Sequence, residues 1–133
     1  MQNIPFRPGL HVRVWRGLYW HHAITICVDA SGIAWLIEAG TPFGPGTIRW
    51  VTLAEFAGGA TVCVVEHNWA FPPHVIVQQA MSRLDENRYN LMTNNCEHFA
   101  TWCVTGVAES RQAQLLGLVS TIGLITLAAR RAA

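Results

Sequence analysis

The segment Asn94-Asn95-Cys96-Glu97-His98-Phe99 puts a thiol where a helix would begin. Either asparagine can cap the free amides of a first turn, and Cys96 then falls within that turn. Unpaired amides and the helix dipole favour negative charge there and depress a thiol pKa, which makes Cys96 a candidate nucleophile. Such a thiol needs an imidazole as base, and the imidazole needs a third polar group to hold it. His98 is the nearest in sequence. Two residues along a helix is about 200° of rotation, however, which turns that ring away from Cys96. The base is therefore expected from a sheet. Tyr19-Trp20-His21-His22-Ala23-Ile24 offers two imidazoles on opposite faces of a strand, and periodicity alone does not choose between them. Glu38 is the only ionisable residue from Ile33 to Gly40, so it is the candidate orienter on a neighbouring strand.

These groups must be carried by recognisable elements. His11 to Trp15 alternates as a strand does, and Leu18 to Val28 is a β-rich run that reads as a second strand. Asp29-Ala30-Ser31-Gly32 supplies a turn, and Ile33 to Glu38 is the return strand, ended by the Gly40 to Gly46 stretch with Pro42 and Pro45. Two further short strands are expected at Thr47 to Val51 and Thr61 to Glu66. Between them Thr52-Leu53-Ala54-Glu55 is a capping box that should open a short helix, with Gly58 and Gly59 to stop it. After Pro72 and Pro73, the apolar residues Val75, Val77, Ala80, Met81 and Leu84 are compatible with one face of a helix ending near Arg88. A second helix should start around Asn94 or Asn95 and run through Cys103 towards Gly106, and the tail supplies a third. The expected fold class is α+β, a small antiparallel sheet with helices gathered against it.

Composition narrows the field. In 133 residues, 51% are hydrophobic and 13% charged, the profile of one packed domain rather than a disordered chain. Nine basic residues, all arginine, face eight acids for a formal charge of +1, too little surplus to grip a phosphate backbone, so nucleic acid is not an expected partner. None of the four cysteines, Cys27, Cys63, Cys96 and Cys103, forms a Cys-x-x-Cys pair, which suits free thiols in a reducing compartment. No metal site is expected, because Cys96 with His98 makes only half of one. The ordinary fate of a free cysteine is that of a buried small hydrophobe, and this is the reading for Cys27, Cys63 and Cys103. The strand tryptophans Trp15, Trp20, Trp35 and Trp50 read as core or membrane-rim packing, and His11, His67 and His74 as surface or supporting residues.

The first nine residues hold no apolar run for a secretory signal, so a mature cytosolic start is expected. From Gln112 through Ala129 no charged residue appears, and Arg130 and Arg131 follow. This divides the chain into a catalytic domain over 1–112 and a hydrophobic helix over 113–133. The helix could contact a membrane through residues 113–129, although it is at the short end of the roughly 20 residues that span a bilayer. The alternative is a hydrophobic helix docked on the domain.

Leu18-Tyr19-Trp20-His21-His22-Ala23-Ile24 followed by Tyr89-Asn90-Leu91-Met92-Thr93-Asn94-Asn95-Cys96-Glu97-His98-Phe99 resembles the lecithin retinol acyltransferase family. Its members carry a histidine, any residue, a small residue and isoleucine, and later an Asn-Cys-Glu-His-Phe box. The resemblance runs on through Gly106 to Gln112 and into the tail, like the HRAS-like phospholipase and acyltransferase branch. It implies Cys96 as nucleophile, His21 as general base and His22 as bystander, on a circularly permuted relative of the NlpC-type and papain-like thiol hydrolases. Many members have a second histidine on the hairpin strand, where alignment of Trp35-Leu36-Ile37-Glu38 places Glu38, a carboxylate that can orient an imidazole equally. Arg16 and Tyr19 correspond to residues near the family's active site and, with Asn95, are candidates for holding an oxyanion.

The expected function is thus a thiol-dependent acyltransferase or hydrolase, working through an acyl-cysteine on lipid-like esters such as phospholipids, without a cofactor. It would be cytoplasmic, with membrane association through the carboxy-terminal helix. Two other readings remain: a non-catalytic membrane-associated module whose triad Glu38 has spoiled, and a cysteine peptidase or amidase, since one nucleophile and base serve any acyl carbonyl.

Overall fold

The computed structural model of the protein describes residues 6–40, 46–86 and 96–107. The two capping asparagines and the apolar tail expected above lie outside them. The described residues form an α+β fold, a five-stranded sheet with three helices. Strands β1 (His11–Trp15) and β2 (Trp20–Val28) make a hairpin, with Val14 opposite His21 and Val12 opposite Ala23. Strand β3 (Ala34–Glu38) returns along β2 with Ala23 opposite Glu38, and β4 (Arg49–Thr52) pairs β3 with Arg49 opposite Glu38. Helix α1 (Leu53–Ala57) follows, then the two-residue strand β5 (Cys63–Val64), helix α2 (Pro73–Ser82) and helix α3 (Cys96–Thr105). The strand order is β4-β3-β2-β1-β5, antiparallel at every pairing.

Local chemistry explains the boundaries. At the β2–β3 turn, Asp29 Oδ1 accepts from the Ser31 and Ile33 amides at 2.8 and 3.0 Å, while Trp35 Nε1 donates to Oδ2 at 2.9 Å. The capping box forms as expected, with the Glu55 amide donating to Thr52 Oγ1 at 3.1 Å. Gly58, at φ 55°, closes α1 in the left-handed conformation and donates to the Ala54 carbonyl. Helix α2 stops at Ser82 rather than near Arg88. There Asp85 takes a positive φ of 70° and its amide donates to the Ile48 carbonyl, tying the chain back towards the sheet.

Alternation along β2 gives the sheet two buried faces. Val12, Val14, Ala23, Leu36 and Val51 surround Phe56 of α1 on one. Ile24, Ile26 and Ile37 pack under α2 and α3 on the other, against Ile76, Ala80, Phe99, Ala100, Cys103 and Val104. Cys103 is core, as expected. Cys27 is not, because the register of β2 against β3 slips between Thr25 and Cys27, and that irregular end of the strand leaves the thiol exposed. Trp15 and Trp50 are likewise largely exposed.

His11, expected at the surface or in a supporting role, is buried. Its Nε2 lies 2.7 Å from His22 Nδ1 and its Nδ1 2.7 Å from His67 Nε2, an imidazole chain that ties β1 to β2 and to the segment after β5. Neutral His11 has one N–H, so it donates across one link and accepts across the other. Burial, then the neighbouring His22, His67 and Arg13, holds His11 well below the usual imidazole range. Burial, followed by the charges of His21, Arg13 and His67, brings His22 down to about 3. Both rings stay neutral in the fold while the unfolded chain protonates them near pH 6.5, so stability is complete above that value and declines as pH falls towards 3. The slope is about 1.4 kcal/mol per pH unit for each histidine kept neutral. Thermal unfolding followed at pH 7.5, 6 and 5 should therefore give a falling Tm, and a flat profile would contradict the buried neutral chain.

Candidate active site

His21 and Ala23 share the Phe56 face of the sheet, and the His21 ring packs on Phe56 with centroids 5.5 Å apart. The His21 side chain is 1% exposed, and its Nε2 lies 2.8 Å from Glu38 Oε1. Glu38 stands opposite Ala23, so it reaches His21 diagonally across the β2–β3 pair. Its second oxygen accepts from Arg49 Nε at 3.0 Å, from the opposed position on β4. Burial is the largest influence on Glu38 and pushes its carboxyl up, but the hydrogen bonds and charges of His21 and Arg49 together outweigh it, leaving the group below its ordinary value. An ionised Glu38 can only accept, so His21 Nε2 carries a proton, and neutral His21 presents a lone pair at Nδ1. That Nδ1 is buried and has no hydrogen-bond partner among the described residues.

Cys96 is the first residue of α3 and is 1% exposed. It belongs to the opposite cluster, with Ile24 and Phe99. Its Sγ nevertheless sits at the edge of β2, donating to the Trp20 carbonyl at 3.7 Å. The Arg16 amide donates to the Tyr19 carbonyl and the Thr25 amide to the Leu10 carbonyl across the hairpin. In this register the odd residues of β2 turn their peptide groups towards β1, and Trp20 and His22 turn theirs towards the β3 side. The β2–β3 pairing runs only as far as Ala23 and Glu38. The sulfur therefore occupies the edge that β3 leaves open, against the peptide group that joins Trp20 to His21. The two side chains belong to opposite faces of the sheet, and no hydrogen bond joins thiol and imidazole.

Burial pushes the Cys96 thiol up to about 12, although amide hydrogen bonds from His22 and Glu97 pull the other way. The depressed pKa expected from a helix start is overturned, because at 1% exposure desolvation of a thiolate outweighs the first-turn amides.

The remaining sequence candidates are placed as follows. Tyr19 meets the His21 ring edge-on at 6.1 Å between centroids. The Arg16 guanidinium lies 5.7 Å from the centre of the Phe56 ring. Tyr19 thus meets the imidazole directly, and Arg16 reaches the phenylalanine on which the imidazole packs. Asn95 lies outside the described residues. His22 points to the other face, with its Nδ1 engaged by His11. Arg49 is the residue that sequence reasoning missed. Its only signal was a cation in the middle of the strand expected over Thr47 to Val51, and the Gly40 to Gly46 stretch hides the register that brings it to Glu38. Among the described residues, no group of three or more His, Cys, Asp or Glu could hold a metal ion.

Comparison with known proteins agrees with the motifs that frame this site. The family model for lecithin retinol acyltransferase matches residues 5–109. Lecithin retinol acyltransferase of Mus musculus is 33% identical over 73 residues, covering 51% of this chain and 32% of that protein. The Rattus norvegicus protein matches with the same identity and coverage. The match thus spans about a third of the length of these curated relatives. With the family model covering most of its length, the chain belongs to the lecithin retinol acyltransferase family.

Proposed function

We propose that the protein is a thiol acyl-transfer enzyme in which Cys96 is the nucleophile, His21 the general base and Glu38 the group that orients the base. The observation that carries this reading is the state of His21. One ring nitrogen is engaged by an ionised carboxylate and the other is buried without a partner among the described residues, while the thiol rests on the carbonyl of the residue that precedes His21 in β2. A buried, unengaged acceptor is costly in a merely structural site. It is useful where a proton must be received. His22 lacks that capacity, with its ring in the imidazole chain and burial holding it down to about 3.

In this mechanism Cys96 passes its proton to His21 Nδ1 as Sγ bonds to an ester carbonyl carbon. The ester C–O bond then breaks, and the leaving alcohol takes the proton from the imidazolium, leaving a thioester on Cys96. Water or another alcohol or amine attacks that thioester with His21 again as base. Glu38 keeps Nε2 protonated and stabilises the transient imidazolium, as a triad carboxylate does. The thiol is neutral at rest, so proton transfer accompanies attack rather than preceding it. Arg16 and Tyr19 act through the imidazole's surroundings, and Asn95 remains a candidate for the oxyanion. The order of elements, imidazole strand before thiol helix, fits a permuted papain-like arrangement.

Lipid-like esters such as phospholipids are the substrate class, by likeness to relatives whose name specifies a lecithin acyl donor. The apolar segment 113–129 would suit contact with a membrane carrying that substrate.

An acyl-ester activity probe should label the protein at Cys96, read by intact mass and peptide mapping. Equal labelling of Cys96→Ala would refute the assignment. Glu38→Gln, which keeps shape but removes the charge, should lower turnover by about 10²-fold or more. Wild-type turnover in that variant, with its Tm unchanged, would remove Glu38 from the mechanism. Iodoacetamide without substrate should modify the exposed Cys27 quickly and Cys96 slowly up to pH 9, because a thiol raised to about 12 stays protonated there. Rapid alkylation of Cys96 at pH 7 would mean that a thiolate is already present.

A further inference from the structure

The β1–β2 hairpin ends in an apolar tip that the acyl-transfer chemistry does not use. Leu18 is 80% exposed and Trp15 48%. Trp15 meets Trp20 edge-on at 5.3 Å between ring centroids. Arg13 stacks over the Trp20 ring at 4.1 Å, which holds a cation at the margin of the aromatic pair. The turn is made by Gly17 at φ 90°, and nothing stands within 4 Å of where its side chain would begin. Leu18 therefore projects from a narrow, uncovered turn. From Phe6 to Val28 the chain carries Arg7, Arg13 and Arg16 and no acidic residue.

A leucine and a tryptophan at a protruding turn, flanked by arginines without acids, match an anionic bilayer surface in both chemistry and layout. Indole favours the headgroup level, an aliphatic side chain enters the acyl boundary, and guanidinium groups pair with anionic headgroups. We infer that the β1–β2 hairpin tip, through Leu18, Trp15 and the arginines Arg13 and Arg16, docks the protein on the surface of an anionic lipid bilayer. This deepens the function proposed above and rests on it for the role of docking. The thiol lies against the carbonyl of Trp20, at the same end of β2 as the tip, so a lipid drawn from the bilayer there would approach the nucleophile directly.

The test uses the full chain with Cys27→Ser as background. An environment-sensitive fluorophore is placed through Leu18→Cys at the tip or through Ser31→Cys in the turn at the opposite end of β2, and the unmodified background serves as blank. With mixed phosphatidylcholine–phosphatidylserine vesicles, emission from the tip should shift to the blue and emission from position 31 should not. Leu18→Glu, without label, should bind these vesicles about tenfold more weakly in co-sedimentation, the loss expected for one buried leucine. Three outcomes would overturn the proposal. Co-sedimentation with no shift at the tip would place the contact elsewhere, such as the tail. Tip emission already blue without vesicles and independent of protein concentration would mean that the chain covers its own tip. A vesicle-independent shift that grows with protein concentration would assign the tip to a second copy. Probe labelling of Cys96, measured in detergent, reports on the acyl-transfer reading separately, so either idea can fail alone.

Discussion

The carboxylate of Glu38 is held between two cationic or protonated partners on its two neighbouring strands, and the site is arranged around that clasp. Glu38 is 2% exposed, and an isolated ionised carboxylate at such depth would be expelled or protonated. His21 on β2 and Arg49 on β4 each engage one oxygen. This fixes the imidazole by its Nε2 and leaves Nδ1 unengaged among the described residues. Arg49 has its side chain 55% exposed, so it holds charge on Glu38 while keeping much of its own hydration. Buried ion pairs often add little net stability. Here the three-strand clasp has a further consequence, a single tautomer at one ring.

Around that clasp, the fold sorts its imidazoles by face. Alternation in β2 sends His21 towards Phe56 and Glu38, and His22 towards His11 and Arg13. Adjacent residues of the same type thus acquire opposite chemistry. One is hydrogen-bonded to a carboxylate, and the other sits among bases and a cation that disfavour its charged form.

Much of this was legible in the sequence, and what was hidden has identifiable causes. The five strands, the Thr52 cap and Glu38 as the ionisable neighbour of a β2 imidazole could be read from alternation, turn residues and the scarcity of charge between Ile33 and Gly40. The choice between His21 and His22 was not available to periodicity, because two adjacent strand residues differ only in face and nothing local says what covers each face. Arg49 stayed hidden because strand register across a sequence stretch with Gly40, Pro42, Pro45 and Gly46 cannot be counted from composition. The elevated thiol of Cys96 and the burial of His11 depend on what packs over them, a tertiary matter on which local propensity is silent. The exposure of Cys27 follows from a register slip of one residue.

The open edge of β2 has one more implication. The sulfur's seat is formed by the main chain, through the Trp20 carbonyl and the His22 amide, and not by any side chain at those positions. Main-chain groups are common to nearly every amino acid, so sequence drift at 20 and 22 can proceed without dismantling the cradle. The side chains displayed at these two positions, aromatic at one and basic at the other, are thereby released from holding the sulfur and face surroundings of their own.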